Sequence, residues 1–403
     1  MAFSAPTIVN PETGERFRDG KRYLWTFSLL YPVMPAFFIW VAWATSQPGW
    51  LWVMPVWYLV LGPVLDHFIG EDRNNPPEWA VPELEEDRYY RMLVWFAVPG
   101  HFVTLVAGAW AFAYFLQAGF PWWSQIGLLL SVAYAAGVAV NTGHELGHKK
   151  TALERWLAKL VLSVTAYGHF MVEHNRGHHV NVATPLDPAS SRMGENFFEF
   201  ALKREIPGAI KRAWELERDR LHAEGKSVFH PGNEVLHSWL MTVVLYGAIT
   251  AAFGWVVLPF LIAQALIGGY MQLSLANYVE HYGLLRQKKA NGRYEPCRPE
   301  HSWNTNHIVS NLMSFHLQRH SDHHAHATRR YQSLRHFDGV PSLPSGYPGM
   351  FLLAQIPALW RKVMDKRLLE HYDYDMTRVN VDPRKREELF AKYHKPRHQE
   401  AAA

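Results

Sequence analysis

The chain has 403 residues, 49% of them hydrophobic and 14% aromatic, with a formal net charge of +4. That length allows one large domain or two ordinary ones, and so small a charge gives no footprint for a nucleic-acid partner. The single cysteine, Cys297, excludes a disulfide framework and any cysteine-based zinc or iron–sulfur site within the chain.

The N-terminal segment before Tyr23 lacks the short apolar core of a secretory signal, so no cleaved targeting peptide is expected. A spanning helix needs about 20 mostly apolar residues. Six runs qualify: 23–45, 50–69, 92–117, 126–143, 239–255 and 258–279. The first two contain Pro32, Pro35, Pro55 and Pro63, kinks that a packed membrane bundle tolerates better than a soluble helix. A seventh run, 157–172, is shorter and predicts a buried or re-entrant helix rather than a span.

Basic residues set the orientation. Arg16, Arg18, Lys21 and Arg22 precede the first run, Arg73, Arg88 and Arg91 follow the second, and Lys149 and Lys150 follow the fourth. The connections SQPG, AGFPWWSQ and the turn near Trp255 carry no Lys or Arg. Every basic segment therefore falls on one side, the cytoplasmic one, with both termini inside. The expected fold is all-α: a six-transmembrane-helix bundle with a cytoplasmic helical cap, built from regions 144–238 and 280–403, in a single domain over 1–403.

Nine histidines mark the cytoplasmic ends of these runs. His144 and His148 lie in HELGH, and His174, His178 and His179 in EHNRGHH. His320, His323 and His324 lie in RHSDHH, and His281 lies in NYVEHYG after the sixth run. Spacings of three and four put imidazoles on one helix face, close enough to share a metal. HELGH alone matches the HExxH motif of zinc metalloproteases, with Glu145 as base. That reading leaves most of the histidines without a role, and the excess argues for two metal ions. Neutral imidazole suits zinc, copper, iron or nickel. Oxygen chemistry on lipid-like substrates beside apolar helices would require iron or copper, because zinc cannot change oxidation state.

His169, His307, His316 and His326 lie near the clusters, and His316, one turn before His320, is the best substitute for a clustered ligand. His67 and His101 fall inside spans, where hydrogen bonding is the plainer reading. Glu145, Glu173, Glu280, Asp322 and Asp187 are candidates to orient the imidazoles or offset the charge of two cations. Asn141, three residues before His144, and Asn277, four before His281, are better placed geometrically for that supporting role.

The stretches NTGHELGHKK, GHFMVEHNRGHHV, NYVEHYGLLRQK and FHLQRHSDHHAH resemble the bacterial membrane alkane 1-monooxygenases, within the wider group of membrane fatty-acid desaturases and hydroxylases. NNPPEWAVPELEEDRYYR and SGYPGMF extend that resemblance over nearly the whole chain. It implies a non-haem di-iron centre, two Fe ions held by the nine histidines, that uses O2 to hydroxylate the terminal carbon of a medium- or long-chain n-alkane. It also implies a bacterial inner-membrane location and two electrons from rubredoxin, served by an NAD(P)H-dependent reductase. No CxxC pair exists, so rubredoxin would be another chain or a domain not included here. Lys149, Lys150, Arg329, Arg330 and Arg335 could dock an acidic rubredoxin, or could be ordinary positive-inside charge. Because an alkane has no polar handle, its length would be read by a bulky stop, for which Trp57 in the second run is the candidate. The rival readings are a desaturase or fatty-acyl hydroxylase with the same centre, a zinc protease, and a metal transporter. The transporter is disfavoured because its ligands should lie near mid-membrane.

Overall fold

The six apolar runs fold as six long helices in a computed structural model that describes residues 5–395. The first four residues, and with them part of the segment behind the targeting expectation, lie outside the described residues. We name the spans α1 (Arg22–Thr45), α2 (Pro48–Ile69), α3 (Arg88–Gln117) and α4 (Trp122–Gly147). Three further helical segments form α5 (Ala152–Ser163), α6 (170–181) and α7 (197–223), followed by the fifth span, α8 (Glu234–Phe253). The sixth span is α9 (Val257–His281); beyond it come α10 (Ile308–Met313), α11 (His320–Ala325), α12 (Tyr347–Ala354) and α13 (357–371). The six spans have mean hydropathies of 1.4–1.7 and are each long and apolar enough to cross a membrane. Among the described residues the only sheet is a two-stranded ladder pairing Ile8–Val9 with Arg16–Phe17. The fold is all-α, as its apolar periodicity predicts.

Two spans outlast their apolar runs. α4 continues from 143 to Gly147 and α9 from 279 to His281, and these added turns carry His144 and His281. Prolines distort the bundle without breaking it. Pro35 sits within α1 and Pro99 within α3. In α2 a π-helical turn at Trp57–Leu61 precedes Pro63, whose ring cannot follow a regular α-helical turn. A second π turn, Ala265–Met271, includes Gly268 and Gly269 in α9. A Cβ on Gly268 would lie 2.2 Å from Ala133 O of α4, and one on Gly269 2.7 Å from Thr165 O. Only glycine permits so close an approach between these backbones.

The run 157–172 behaves differently from its expectation. Its helix, α5, ends at Ser163, and the chain turns through Ala166 at φ 53 before α6 begins. Trp156 and Leu160 are exposed, so α5 is amphipathic rather than fully buried. Gly168 in this turn allows contact with α8: a Cβ there would meet Ser238 Cβ at 2.3 Å. The break lets α6 re-enter the molecule carrying three histidines.

Apolar packing falls into two large clusters. One joins α1, α3, α4 and α5, and the other joins α2, α7, α9, α12 and α13. The histidines lie where the ends of α4, α6, α9 and α11 meet.

Candidate metal centre

The nine histidines form two groups, in each of which the ligand atoms lie within 4.8 Å of one another. The first contains His144, His148, His174, His179 and His323; the second contains His178, His281, His320 and His324. A π-helical turn at His174–His178 makes this division possible. Its i→i+5 bonding brings His174 and His179 to the same side, and π turns of this kind concentrate at functional sites. His178, one residue earlier than His179, faces the second group.

The nitrogens are spaced as a metal would require. Nε2 separations are 2.9 Å for His144–His323, 3.1 Å for His148–His174 and for His174–His179, and 3.2 Å for His179–His323. In the second group His320 and His324 Nε2 atoms are 2.9 Å apart. Imidazole nitrogens about 2.0–2.1 Å from a shared ion would stand about 3 Å from their neighbours. Two bare imidazoles gain only one hydrogen bond at that distance, so convergence of five Nε2 atoms fits a cation between them. The donor set fits two ions, one per group.

Electrostatics favours the neutral, ligating form. Burial, reinforced by the neighbouring imidazoles, lowers His174, His179, His323 and His324 well below the usual range. His178 goes the other way. Burial opposes its charge, but Asp187 and other carboxylates outweigh burial and raise it. Asp187 Oδ2 lies 2.9 Å from His178 Nδ1 and holds the proton there, leaving Nε2 free for an ion.

The other carboxylates are distributed as follows. Glu280 Oε2 lies 3.3 Å from His320 Nε2, while its Oε1 accepts from Tyr347 OH at 2.8 Å. Glu145 pairs with Lys149 at 3.0 Å and Asp322 with Arg329 at 2.9 Å, so neither holds a clustered ring. Burial, with Asp187 and Glu205 adding to it, pushes Glu173 up to about 8, and its Oε1 has no hydrogen-bond partner. Asn141 and Asn277 do not support the rings next to them in sequence. Asn141 donates to Ser314 O and Asn277 to Glu205 Oε1.

Most of the proposed docking residues are committed internally. Lys149 is buried against Glu145 and donates to Arg329 O. Arg330 pairs with Glu154 at 2.9 Å, and Arg335 with Glu78 at 3.1 Å. The buried carboxylates of Glu145 and Glu154 require Lys149 and Arg330. Lys150 alone of the five is exposed.

The other histidines stay apart from the groups. His316 Nδ1 faces Tyr331 O at 2.9 Å, His326 faces Asp322, and His307 faces Thr305. His101 Nε2 is 3.1 Å from Thr142 Oγ1, and His67 is exposed beside Phe68. His169 is buried against Tyr167, with neither ring nitrogen hydrogen-bonded.

A cavity opens onto both groups, lined by His144 and His174 of the first and His320 of the second. Its walls include Val138, Phe170, Leu273, Ala276 and Phe351, and its lining also includes Tyr31 and Tyr58. Tyr58 stacks on Tyr134 of α4 at 4.7 Å, ten residues before His144, so the wall at that level is about 15 Å along the helix from the histidines. Trp57 does not line the cavity; it packs in the cluster that contains Tyr31 and Tyr58. The π turn rotates Tyr58 rather than Trp57 inward. Sequence reasoning missed Tyr31, Tyr58 and Tyr347, since only position in the fold distinguishes them from ordinary core tyrosines.

A family model described as fatty acid desaturase matches residues 120–351. The chain is 50% identical over 386 residues to an alkane 1-monooxygenase of Pseudomonas putida, covering 95% of this chain and 94% of that protein. It is 51% identical to the alkane 1-monooxygenase of Ectopseudomonas oleovorans, with 95% and 94% covered, and 52% identical to alkane 1-monooxygenase 1 of Alcanivorax borkumensis, with 93% and 91% covered. The chain belongs to the alkane 1-monooxygenase family. This monooxygenase is thus an oxidoreductase built on six helices of membrane-spanning character, with a histidine centre able to hold metal.

Proposed function

We propose that this monooxygenase hydroxylates the terminal carbon of medium- or long-chain n-alkanes, using two iron ions held by the five-histidine and four-histidine groups. The observation that carries this reading is the cavity. It is largely apolar, reaches both groups, and sits in a chain similar to alkane 1-monooxygenases over most of its length. In balance, alkane, O2, two electrons and two protons give a 1-alkanol and water. Iron held by these histidines would supply the redox chemistry that O2 activation needs.

The protein's residues do the rest. Val138, Leu273, Ala276 and Phe351 bind the chain by apolar contact and exclude water. Tyr31 and Tyr58 limit how far it enters, with Trp57 packed in the same cluster. Confinement presents the terminal methyl to the histidine face, which is how a substrate without polar groups gains a fixed orientation. Asp187 keeps His178 in the tautomer that leaves Nε2 available. Glu280, between Tyr347 and His320, steadies the second group.

Two electrons would come from rubredoxin, reduced by an NAD(P)H-dependent reductase, docking at a basic face that includes exposed Lys150. The basic segments beside the spans support a bacterial inner-membrane enzyme with its site toward the cytoplasm, in one domain over the whole chain. The test is metal analysis of purified protein followed by turnover with rubredoxin and reductase. Two irons per chain and a 1-alkanol from n-alkane are expected. A single zinc, or an alkene or hydroxyacyl product instead, would overturn the reading.

A further inference from the structure

An alkane neither donates nor accepts hydrogen bonds, so polar groups in its cavity lose water without gaining a partner. Several of those present are satisfied within the protein. Gln318 Oε1 accepts from Ser310 Oγ at 3.3 Å and Tyr347 N at 3.0 Å. Asn141 and Asn277 differ. Both line the cavity, and both are more than nine-tenths buried, at 8% and 7% exposure.

Their partners fix which way each amide faces. Asn141 Nδ2 donates to Ser314 O at 2.7 Å, and Asn277 Nδ2 donates to Glu205 Oε1 at 3.2 Å. A carbonyl or carboxylate oxygen receives the NH2 end of an amide, so each Oδ1 points away from these contacts. No described residue donates a hydrogen bond to either Oδ1, and neither oxygen is sealed off from the cavity. Asn141 lies one turn before His144 on α4, and Asn277 one turn before His281 on α9. The two acceptors therefore flank the end of the cavity where the reacting carbon must sit. Gln272, five residues before Asn277, is about 7 Å deeper along α9, beyond reach of a hydroxyl formed beside the histidines.

We propose that Asn141 and Asn277 form an acceptor pair for a primary hydroxyl, so that the cavity holds a 1-alkanol by its polar end more firmly than it holds the parent alkane. This rests on the hydroxylation reading for its biological ligand, but it concerns binding rather than turnover. Glu205 is a positioning residue: gripped by Ser274 Oγ and by Tyr167 OH at 3.4 Å, it keeps Asn277 turned. The pair makes the enzyme sensitive to its own product and admits chains that already carry a terminal hydroxyl.

The experiment uses metal-loaded protein in nanodiscs and two readouts. One is inhibition of n-decane hydroxylation by added 1-decanol; the other is thermal stabilisation by each compound with no electron donor present. One neutral hydrogen bond corresponds to about fivefold in affinity. Asn141→Leu and Asn277→Leu should each weaken 1-decanol by about fivefold in both readouts, while the KM for n-decane stays the same or falls. Glu205→Gln should weaken 1-decanol in the same direction by a smaller factor. Parallel loss for both compounds, or unchanged 1-decanol binding, would overturn the proposal. Should a leucine variant not fold, Asn277→Ser takes its place with the same split expected. If the wild type binds 1-decanol through these residues yet hydroxylates no alkane, the acceptor pair stands and the hydroxylation reading fails.

Discussion

His178 and His179 are adjacent in the chain, yet they face different metal groups. Of the two, His178 has a buried carboxylate on its outer nitrogen, Asp187 at 2.9 Å, whereas His320 and His324 in the same group leave Nδ1 without a partner. The four-histidine group therefore depends on Asp187 more than on any other carboxylate that its rings touch through Nδ1. Replacing Asp187 with Asn removes the charge that holds the His178 tautomer. Metal affinity at that group should fall about 10- to 100-fold. Metal content after graded chelation reads this: release that needs the same chelator concentration as the wild type would refute it.

Glu205 gives a pH dependence. Burial raises it from 4.5 to about 7, against the opposing hydrogen bonds of Ser274, Asn277 and Tyr167. Between those values the folded protein keeps a proton that the unfolded chain releases. Its contribution to stability is thus most favourable at low pH and declines as pH rises through that window. A shift of this size corresponds to about 3 kcal/mol. Glu205→Gln should gain stability relative to wild type between pH 5 and pH 8, as measured by thermal unfolding at both. An identical pH response in the two proteins would exclude this account.

Lys149 and its neighbour separate structure from docking. Lys149 sits 3.0 Å from Glu145, both nearly inaccessible, and removal of one partner of such a pair costs about 3–5 kcal/mol. Lys149→Met should lower the unfolding temperature sharply. Lys150→Glu should leave it unchanged and raise the KM for the reduced electron donor, an effect that weakens with salt. A destabilised Lys150 variant with normal donor kinetics would count against both assignments.

Chain length should respond to the tyrosine wall. Tyr58→Ala opens the cavity beside Tyr134 and should extend the longest accepted alkane by several carbons. Trp57→Ser acts from behind, by loosening the packing of Tyr31 and Tyr58, and should extend it less. Product yields across a series of n-alkanes provide the comparison; the reverse order would make Trp57 the direct stop.

The spans were legible because a membrane helix is announced by composition over its whole length, and all six runs appear as helices within a few residues of their apolar limits. The gathering of the histidines was legible too, because both their spacing and the charge asymmetry put them at one end of the bundle. Their division was not. His178 and His179 part company through a π turn, whose extra residue leaves no mark in the local sequence. Asn141 and Asn277 have the right helical offsets to support His144 and His281, but tertiary partners on other elements claim their amides first. The pairing of the basic residues was equally hidden: sequence counts charges, but not the carboxylates that pair with Arg329, Arg330 and Arg335.

α6 supplies His178 to one group and His179 to the other, and α11 splits His323 and His324 in the same way. With one ion in each group, neither coordination sphere could be assembled without fixing two of the helices that build the other. Loading should therefore be cooperative, with the first ion lowering the ordering entropy left for the second. A titration would then pass from empty to doubly filled protein with little singly loaded intermediate, and metal scarcity would divide a population into complete and vacant enzymes rather than half-built ones.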